Sequence, residues 1–452
     1  MVVQKFGGTS VADPEAIQRL IHIVRTARER DGRGPAVVVS AMSGVTDSLL
    51  AIASAAGAGR TDDALSRLEQ LRERHHAAAK ALAGKEAKGA LGEQITAHFE
   101  DLTALVRALG VLREVSPRTL DVVAATGELL SSRIVVAAMT EAGLPSEWID
   151  ARRAIVTSND HTRAVPLGPE TDAALRATVL AAVEAGKVPV LGGFVGSTVD
   201  GHTTTLGRGG SDYSGAIVGA GIGAREIQIW TDVDGMLSAD PRVISSPRLV
   251  PHLSFAEAAE LAYFGAKVLH PSTILPAVER NIPVRILNSR KADGAGTMIT
   301  AEPPPNATPL TALACKRDVT VIDITSSRML MAYGFLRRVF EVFERYTTAV
   351  DVVTTSEVTV SVTVDDRRHL EPIVEELSEF SQVQVEHEMA LLCAVGDRLR
   401  NEPAIAARAV GVLEEVPLRM ISQAASRRNI TVILRQADLQ HAMHRLHEEF
   451  FG

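Results

Sequence analysis

Hydrophobic and polar positions in the first two thirds of the chain fall into two alternating patterns. Ala36–Ser40 (AVVVS) is a continuous apolar run, the signature of a strand buried on both faces of a parallel sheet. Met1–Phe6, Val188–Leu191 and Glu226–Trp230 predict further short strands of the same sheet. Between them lie helical stretches. Pro14–Arg30 follows Asp13, a plausible N-cap with Pro14 at the first helical position. From about Ser48 to Leu112 the chain is rich in Ala, Leu, Glu and Arg and predicts helices, with the His75–His76 pair read as part of a solvated helical face. Strands alternating with helices predict a parallel α/β sheet.

The pattern changes after Ala301–Pro309 (AEPPPNATP), where four prolines in nine residues predict a linker. Beyond it the elements are shorter. Val319–Thr325 predicts a strand, Gly334–Tyr346 a helix, Ala349–Thr354 and Val358–Val364 two strands, Leu370–Glu379 a helix, and Ser381–Val385 a closing strand. A second unit begins with strand Met389–Val395, helix Ala404–Leu413, strands Leu418–Ala424 and Ile430–Leu434, and helix Leu439–Phe450. That unit lacks a closing strand, which Leu310–Cys315 is expected to supply. The expected domains are therefore 1–300, 310–385 and 386–452.

Composition narrows the classes. The 452 residues allow two to four domains, and 46% hydrophobic with 23% charged residues describe an ordinary globular chain. A net charge of −8 provides no global field for nucleic acid or an anionic membrane. Two distant cysteines, Cys315 and Cys393, argue against a disulfide framework and for a reducing compartment. No uninterrupted apolar run reaches the roughly 18 residues of a membrane span, and the start has no signal-peptide layout. A cytoplasmic protein is expected.

The chemistry concentrates in a few loops. Thr203–Ser214 (TTTLGRGGSDYS) holds three glycines among hydroxyls, enclosing Arg208 and Asp212. Glycines let backbone N–H groups close on an anion, and an arginine grips a carboxylate or phosphate through two parallel hydrogen bonds. Lys5–Ser10 (KFGGTS) places Lys5 at the end of the first strand, before Gly7–Gly8, where ligands of open α/β sheets bind. Ser40–Asp47 (SAMSGVTD) repeats that arrangement, and Thr126–Glu128 (TGE) ends an apolar stretch in a carboxylate. Glu128 is either a helix cap or a partner for a substrate amine. Trp230–Gly235 (WTDVDG) and Asp240–Arg242 (DPR) follow another strand, and Phe264–Pro271 (FGAKVLHP) contributes Lys267. Two separated lysines, Lys5 and Lys267, suit phosphoryl transfer, in which charge on the moving group must be neutralised. Gly219–Ala224 (GAGIGA) mimics a dinucleotide fingerprint but lies after a helix and before a strand, the reverse of what that motif requires. His441, His444 and His447 read as a solvated face, and no GxxxxGK[ST] loop occurs.

In this order and at these distances, KFGGTS, SAMSGVTD, TGELLSSR, GRGGSDYS, WTDVDGMLSADPR and FGAKVLHP together resemble the aspartate kinases of the amino-acid kinase superfamily. The resemblance covers nearly the whole chain. It implies a three-layer α/β amino-acid kinase domain with a mostly parallel sheet, followed by two ferredoxin-like βαββαβ ACT domains. It also implies phosphorylation of the L-aspartate side-chain carboxylate by Mg·ATP, the first step of lysine, threonine and methionine biosynthesis. Residue by residue, Lys5, Asp212 and Lys267 would be catalytic. Ser40, Thr46, Glu128, Arg208 and Ser211 would bind aspartate, with Arg208 on its α-carboxylate and Glu128 on its ammonium. Lys5, Gly7, Gly8, Thr231, Asp232, Leu237, Arg242 and Lys267 would meet ATP, whose phosphates would hold most of the Mg2+ coordination, with no dedicated metal ligands. The ACT pair implies feedback control. Ser327–Leu336 and Val350–Glu357 resemble the effector loops of lysine-inhibited members, so Met329, Ala332, Phe335, Leu336, Val350, Asp351, Ser356 and Glu357 would line the effector site, which favours lysine over threonine. A homodimer or larger symmetric oligomer is implied. Two alternatives remain: another carboxylate or carbamate kinase of the superfamily, and a catalytically silent amino-acid sensor.

Overall fold

The computed structural model describes the chain except residues 208, 267, 268, 270, 303–309, 327–332, 398, 400, 401, 424 and 425, and the side chains of 85–88 and 271. The chain forms two compact units, Met1–Met236 with His270–Ala301, and Leu237–Leu269 with Glu302–Gly452.

In chain order the first unit begins with β1 (Val2–Phe6), α1 (Pro14–Asp31), β2 (Ala36–Val39), α2 (Val45–Gly57), α3 (Thr61–Leu82), α4 (Lys85–Leu112) and α5 (Pro117–Glu141). It continues through β3 (Ser146–Trp148), β4 (Val156–Thr157), α6 (Gly168–Leu175), α7 (Ala181–Glu184), β5 (Val188–Gly192), β6 (Val195–Thr198), β7 (Thr203–Thr205), α8 (Gly210–Gly221) and β8 (Glu226–Thr231). The chain then gives β9 (His252–Ser254) and α9 (Phe255–Tyr263) to the second unit, and returns with α10 (Leu275–Glu279), β10 (Val284–Asn288) and β11 (Thr297–Thr300).

The main strands of the first unit lie in the order β3-β5-β2-β1-β8-β10-β11. All neighbours are parallel except β10 and β11. Every residue of β1 and β2 is buried, as a sheet covered on both faces requires. The order makes β1 the switch point: β2 lies on one side of it and β8 on the other, with Lys5 in register with Val38 and Ile229. A small sheet, β4-β6-β7, stands apart.

Helix starts follow local chemistry. Asp13 accepts the Ala16 N–H at 2.8 Å before α1, and Gly32 ends that helix in the left-handed region at φ 68°. Ser116 caps α5 by accepting from Thr119 N. Helix α5 is long and apolar enough to cross a membrane, but it is mostly buried inside the unit and serves as a core helix. His75 departs from the expected solvated face. It is buried, with Nδ1 2.7 Å from Leu71 O and its ring 5.4 Å from Phe99. α3 packs against α4 on this side, and the apolar positions Leu68, Leu71 and Ala79 carry His75 inward with them.

The second unit is built on one antiparallel sheet. Its strands are β12 (Ala312–Thr325), β13 (Val353–Thr355), β14 (Thr359–Val364), β15 (Gln382–Val395), β16 (Leu418–Ser422) and β17 (Asn429–Arg435), in the order β13-β14-β12-β15-β17-β16. Its helices are α11 (Phe335–Arg345), α12 (Leu370–Ser378), α13 (Pro403–Gly411) and α14 (Leu439–Phe451). Where two strands were expected at 381–385 and 389–395, a single 14-residue strand runs through. The polar stretch Glu386–Glu388 does not break it. Glu388 and, across the ladder, Asp318 take positive φ (55° and 57°), and the pairing slips there without ending. Ala312 pairs with Val395 and Thr325 with Gln382, so 312–316 lies against the second half of β15. Two buried clusters result, one around Ile322, Val339, Phe343 and Val362 and one around Leu392, Leu413, Val432 and Met443.

The segment Leu237–Leu269 was expected within a domain spanning 1–300, but it packs in the second unit. Leu313 N donates to Ser238 O at 2.7 Å, Thr311 Oγ1 to Glu257 Oε1 at 2.5 Å, and Asn429 Nδ2 to Glu260 Oε2 at 2.7 Å. Glu257 also closes a capping box with Ser254.

Candidate active site

A cleft of about 860 Å³ opens at the carboxyl ends of β1, β2, β5 and β8, where the strand order predicts ligands. Each strand end delivers one part. Lys5 is the last residue but one of β1, which runs into Gly7–Gly8, β2 runs into Ser40, and β8 ends at Thr231 beside Asp232; Lys5, Gly7, Gly8, Ser40, Thr231 and Asp232 all line the cleft. Thr46 comes from the first turn of α2, Glu128 from the middle of α5, and Ser211 and Asp212 from the first turn of α8. The KFGGTS turn is pinned to its neighbours. Gly7 N donates to Trp230 O at 2.9 Å, and Ser10 Oγ meets Ser289 Oγ at 2.8 Å.

Two features give the cleft its electrostatics. Lys5, only 7% exposed, sets its ammonium 2.6 Å from Asp212 Oδ1. The cation therefore stands at the N-terminal turn of α8, where the helix dipole and free N–H groups already favour an anion. On the α5 side Glu128 is 3% exposed. It sits inside the helix, which rules out the cap role. Thr46 Oγ1 donates to its Oε1 at 3.2 Å, while Oε2 is buried with no partner. Burial pushes its carboxyl up to about 8, and the Ala41 and Thr46 hydrogen bonds and the Lys5 charge only partly offset this. A buried carboxylate oxygen without a donor is a place for a ligand cation. The close packing here needs Gly192, because a Cβ on it would lie 2.8 Å from Glu128 O.

Arg208 and Lys267, called as substrate and phosphate ligands, lie outside the described residues. Leu237 and Arg242, called for ATP, belong to the second unit and are not among the residues lining this cleft. Arg242 holds Asp240 through Nε and Nη2. Phe194 and Thr162 line the cleft and were not singled out from the sequence. Both have positive φ, 68° and 69°, and a sequence carries no signal for that in a non-glycine residue. The glycine pair Gly192–Gly193 after a buried strand was the available hint for Phe194.

In the second unit, Phe335 and Leu336 open α11, and Phe335 packs edge-on to Phe380 at 6.0 Å. Val350 and Asp351 precede β13, and Ser356 and Glu357 form the exposed turn into β14, where Ser356 N donates to Thr359 O. Met329 and Ala332 lie outside the described residues. Asp351 is nearly buried, with Oδ1 taking Lys316 Nζ at 2.9 Å and Oδ2 unpartnered.

Comparisons with known proteins agree with this layout. The sequence pattern of the amino acid kinase family matches residues 1–288, and that of the ACT domain matches 392–450. Lysine-sensitive aspartokinase 3 of Escherichia coli is 35% identical over 461 residues, covering 100% of this chain and 99% of that one. Chloroplastic aspartokinase 3 of Arabidopsis thaliana is 37% identical over 99% of this chain and 81% of its own length. The crystal structure of E. coli aspartokinase III with lysine and aspartate in its T-state superposes at a TM-score of 0.84, with 34% identity and full coverage of both chains. The same enzyme with aspartate and ADP in its R-state gives 0.83. The fold and the cleft define an amino acid kinase, and within that class the chain belongs to the aspartokinase family.

Proposed function

We propose that this protein is an aspartate kinase under feedback control by lysine. A side-chain carboxylate oxygen of L-aspartate attacks the γ-phosphorus of ATP, the bond to the β,γ-bridging oxygen breaks, and 4-phospho-L-aspartate and ADP leave. The observation that carries the reading is the pairing, in one cleft, of the Lys5–Asp212 ion pair with a buried and half-unpartnered Glu128. A carboxylate nucleophile needs no strong base, so alignment and charge neutralisation suffice.

In this reading Lys5 and the Gly7–Gly8 N–H groups neutralise the transferring phosphoryl, with Asp212 holding Lys5 in place. Glu128 takes the α-ammonium of aspartate, with Ser40, Thr46 and Ser211 around it and Arg208 on the α-carboxylate. Thr231 and Asp232 face the nucleotide, together with Lys267. Mg2+ supplies charge on the ATP phosphates. The chemistry of the cleft suits a phosphate-held ion, since the Asp212 carboxylate stands beside the Lys5 ammonium at the N-terminal turn of α8.

For control, we place lysine at Phe335, Leu336, Val350, Asp351, Ser356 and Glu357, together with Met329 and Ala332. Asp351 would have to be shared with Lys316 or released by it. The exposed apolar side chains of Tyr333, Leu336 and Phe340 at the start of α11 support a homodimer through this half. ADP release measured with aspartate, with glutamate and without acceptor tests the reading. Aspartate-dependent turnover suppressed by lysine is expected. Turnover with glutamate alone indicates a different carboxylate kinase, and no turnover a sensor.

A further inference from the structure

Helix α5 carries a second buried carboxylate, Asp121, seven residues before Glu128 and therefore on the same helical face. The two are in opposite states. Asp121 is fully buried and every oxygen is satisfied. Oδ1 accepts Thr205 Oγ1 at 2.5 Å and Thr162 N at 3.0 Å, and Oδ2 accepts His161 Nδ1 at 2.6 Å. Its donors come from a loop (His161, Thr162) and from the end of β7 (Thr205), the strand that enters the glycine-rich loop.

The tie continues into the cleft. Thr162 is held at φ 69°, a conformation a threonine adopts only where its surroundings impose it. Gly207 packs on that backbone: a Cβ there would be 3.3 Å from Thr162 O, and its own φ of 76° needs glycine. Ala164 N donates to Thr205 O at 2.9 Å, and Thr157 Oγ1 meets Thr204 Oγ1 at 2.7 Å. Thr162, Thr205 and Gly207 all line the cleft, but Asp121 and His161 do not.

We propose that Asp121 is a positioning residue for the acceptor half of the active site. It fixes the wall formed by Thr162 and Gly207, and with it the start of the glycine-rich loop, against the helix that carries Glu128. A single buried carboxylate thus sets the spacing between Glu128 and the opposite wall. A buried acceptor with several donors is the arrangement that holds strained backbone in place, and its removal strands each donor. The proposal rests on the kinase reading for its kinetic test but not for its structural one.

Steady-state kinetics and hydrogen exchange on Asp121→Ala and Asp121→Asn test it. For Asp121→Ala the KM for aspartate is expected to rise tenfold or more, with the KM for ATP within twofold. Amide exchange in 158–165 and 203–210 is expected to accelerate tenfold or more, while that of 213–221 is unchanged. Asp121→Asn keeps an acceptor oxygen and should bring the KM for aspartate back within threefold of the parent. If the alanine variant does not fold, His161→Phe removes one donor from outside the cleft and should still raise that KM threefold. Equal changes in both KM values, or a lower melting temperature with the KM for aspartate unmoved, overturn the proposal. If the parent enzyme shows no aspartate-dependent turnover, the kinase reading fails. Exchange then decides alone, and unchanged exchange in 158–165 and 203–210 overturns the positioning role.

Discussion

Burial and hydrogen bonding decide what each charged side chain of the cleft is for. Lys5 is buried against Asp212, so replacing either leaves the other uncompensated as well as removing it from the phosphates. Lys5→Ala or Asp212→Ala should lower kcat at least about a hundredfold, the scale of losing one preorganised charge, as read in the ADP-release assay. Glu128 carries a pH signature. Its carboxyl titrates near 8 in the fold against 4.5 when exposed, so the folded protein holds a proton that the unfolded chain has released. The fold therefore loses stability as pH rises through that window. Glu128→Gln should raise the melting temperature at pH 9 by several degrees and hardly change it at pH 4. Binding an ammonium needs the ionised form, so the parent's KM for aspartate should fall as pH rises from 6 to 8, while that of Glu128→Gln stays high and flat. The motifs made Lys5, Glu128 and Asp212 legible. Asp121 was not, because nothing in a sequence says that an aspartate inside an apolar helix will meet His161, Thr162 and Thr205 from distant loops.

Local signals placed the elements well where pattern and capping agree, as at Asp13–Pro14 and in the apolar runs of β2 and β5. They failed where tertiary pairing overrides local chemistry. Glu386–Glu388 reads as a break, yet the ladder with β12 carries β15 through it with a slip in register. His75 reads as surface, yet its neighbours on the helix face pull it into the core. Element packing also governs the site. β5 and α5 approach so closely at Gly192 that a methyl group has no room. Gly192→Ala should cost about 1–3 kcal/mol, the usual range for overpacking, with a lower melting temperature by calorimetry and a raised KM for aspartate, because the displaced atom belongs to Glu128.

For the whole molecule, the order of motifs in the sequence was enough to read the family and the parallel α/β sheet, though not the order of its strands. It did not show that Leu237–Leu269 packs in the second unit, since contiguous sequence suggests contiguous domains. Regulation belongs at this scale. Glu357→Ala should raise the lysine concentration for half-inhibition at least tenfold while kcat stays within twofold, measured by titrating lysine into the assay. Unchanged inhibition would move the effector site elsewhere.

The excursion of Leu237–Leu269 into the second unit bears on how such enzymes can be recombined. A crossover at the proline-rich junction near 301 would look clean on paper. It would transplant a foreign sheet beneath a resident α9, breaking the Glu257–Thr311 and Glu260–Asn429 matches. Working hybrids should exchange 237–269 along with 302–452, and lineages that shuffled their regulatory halves should have moved both pieces together.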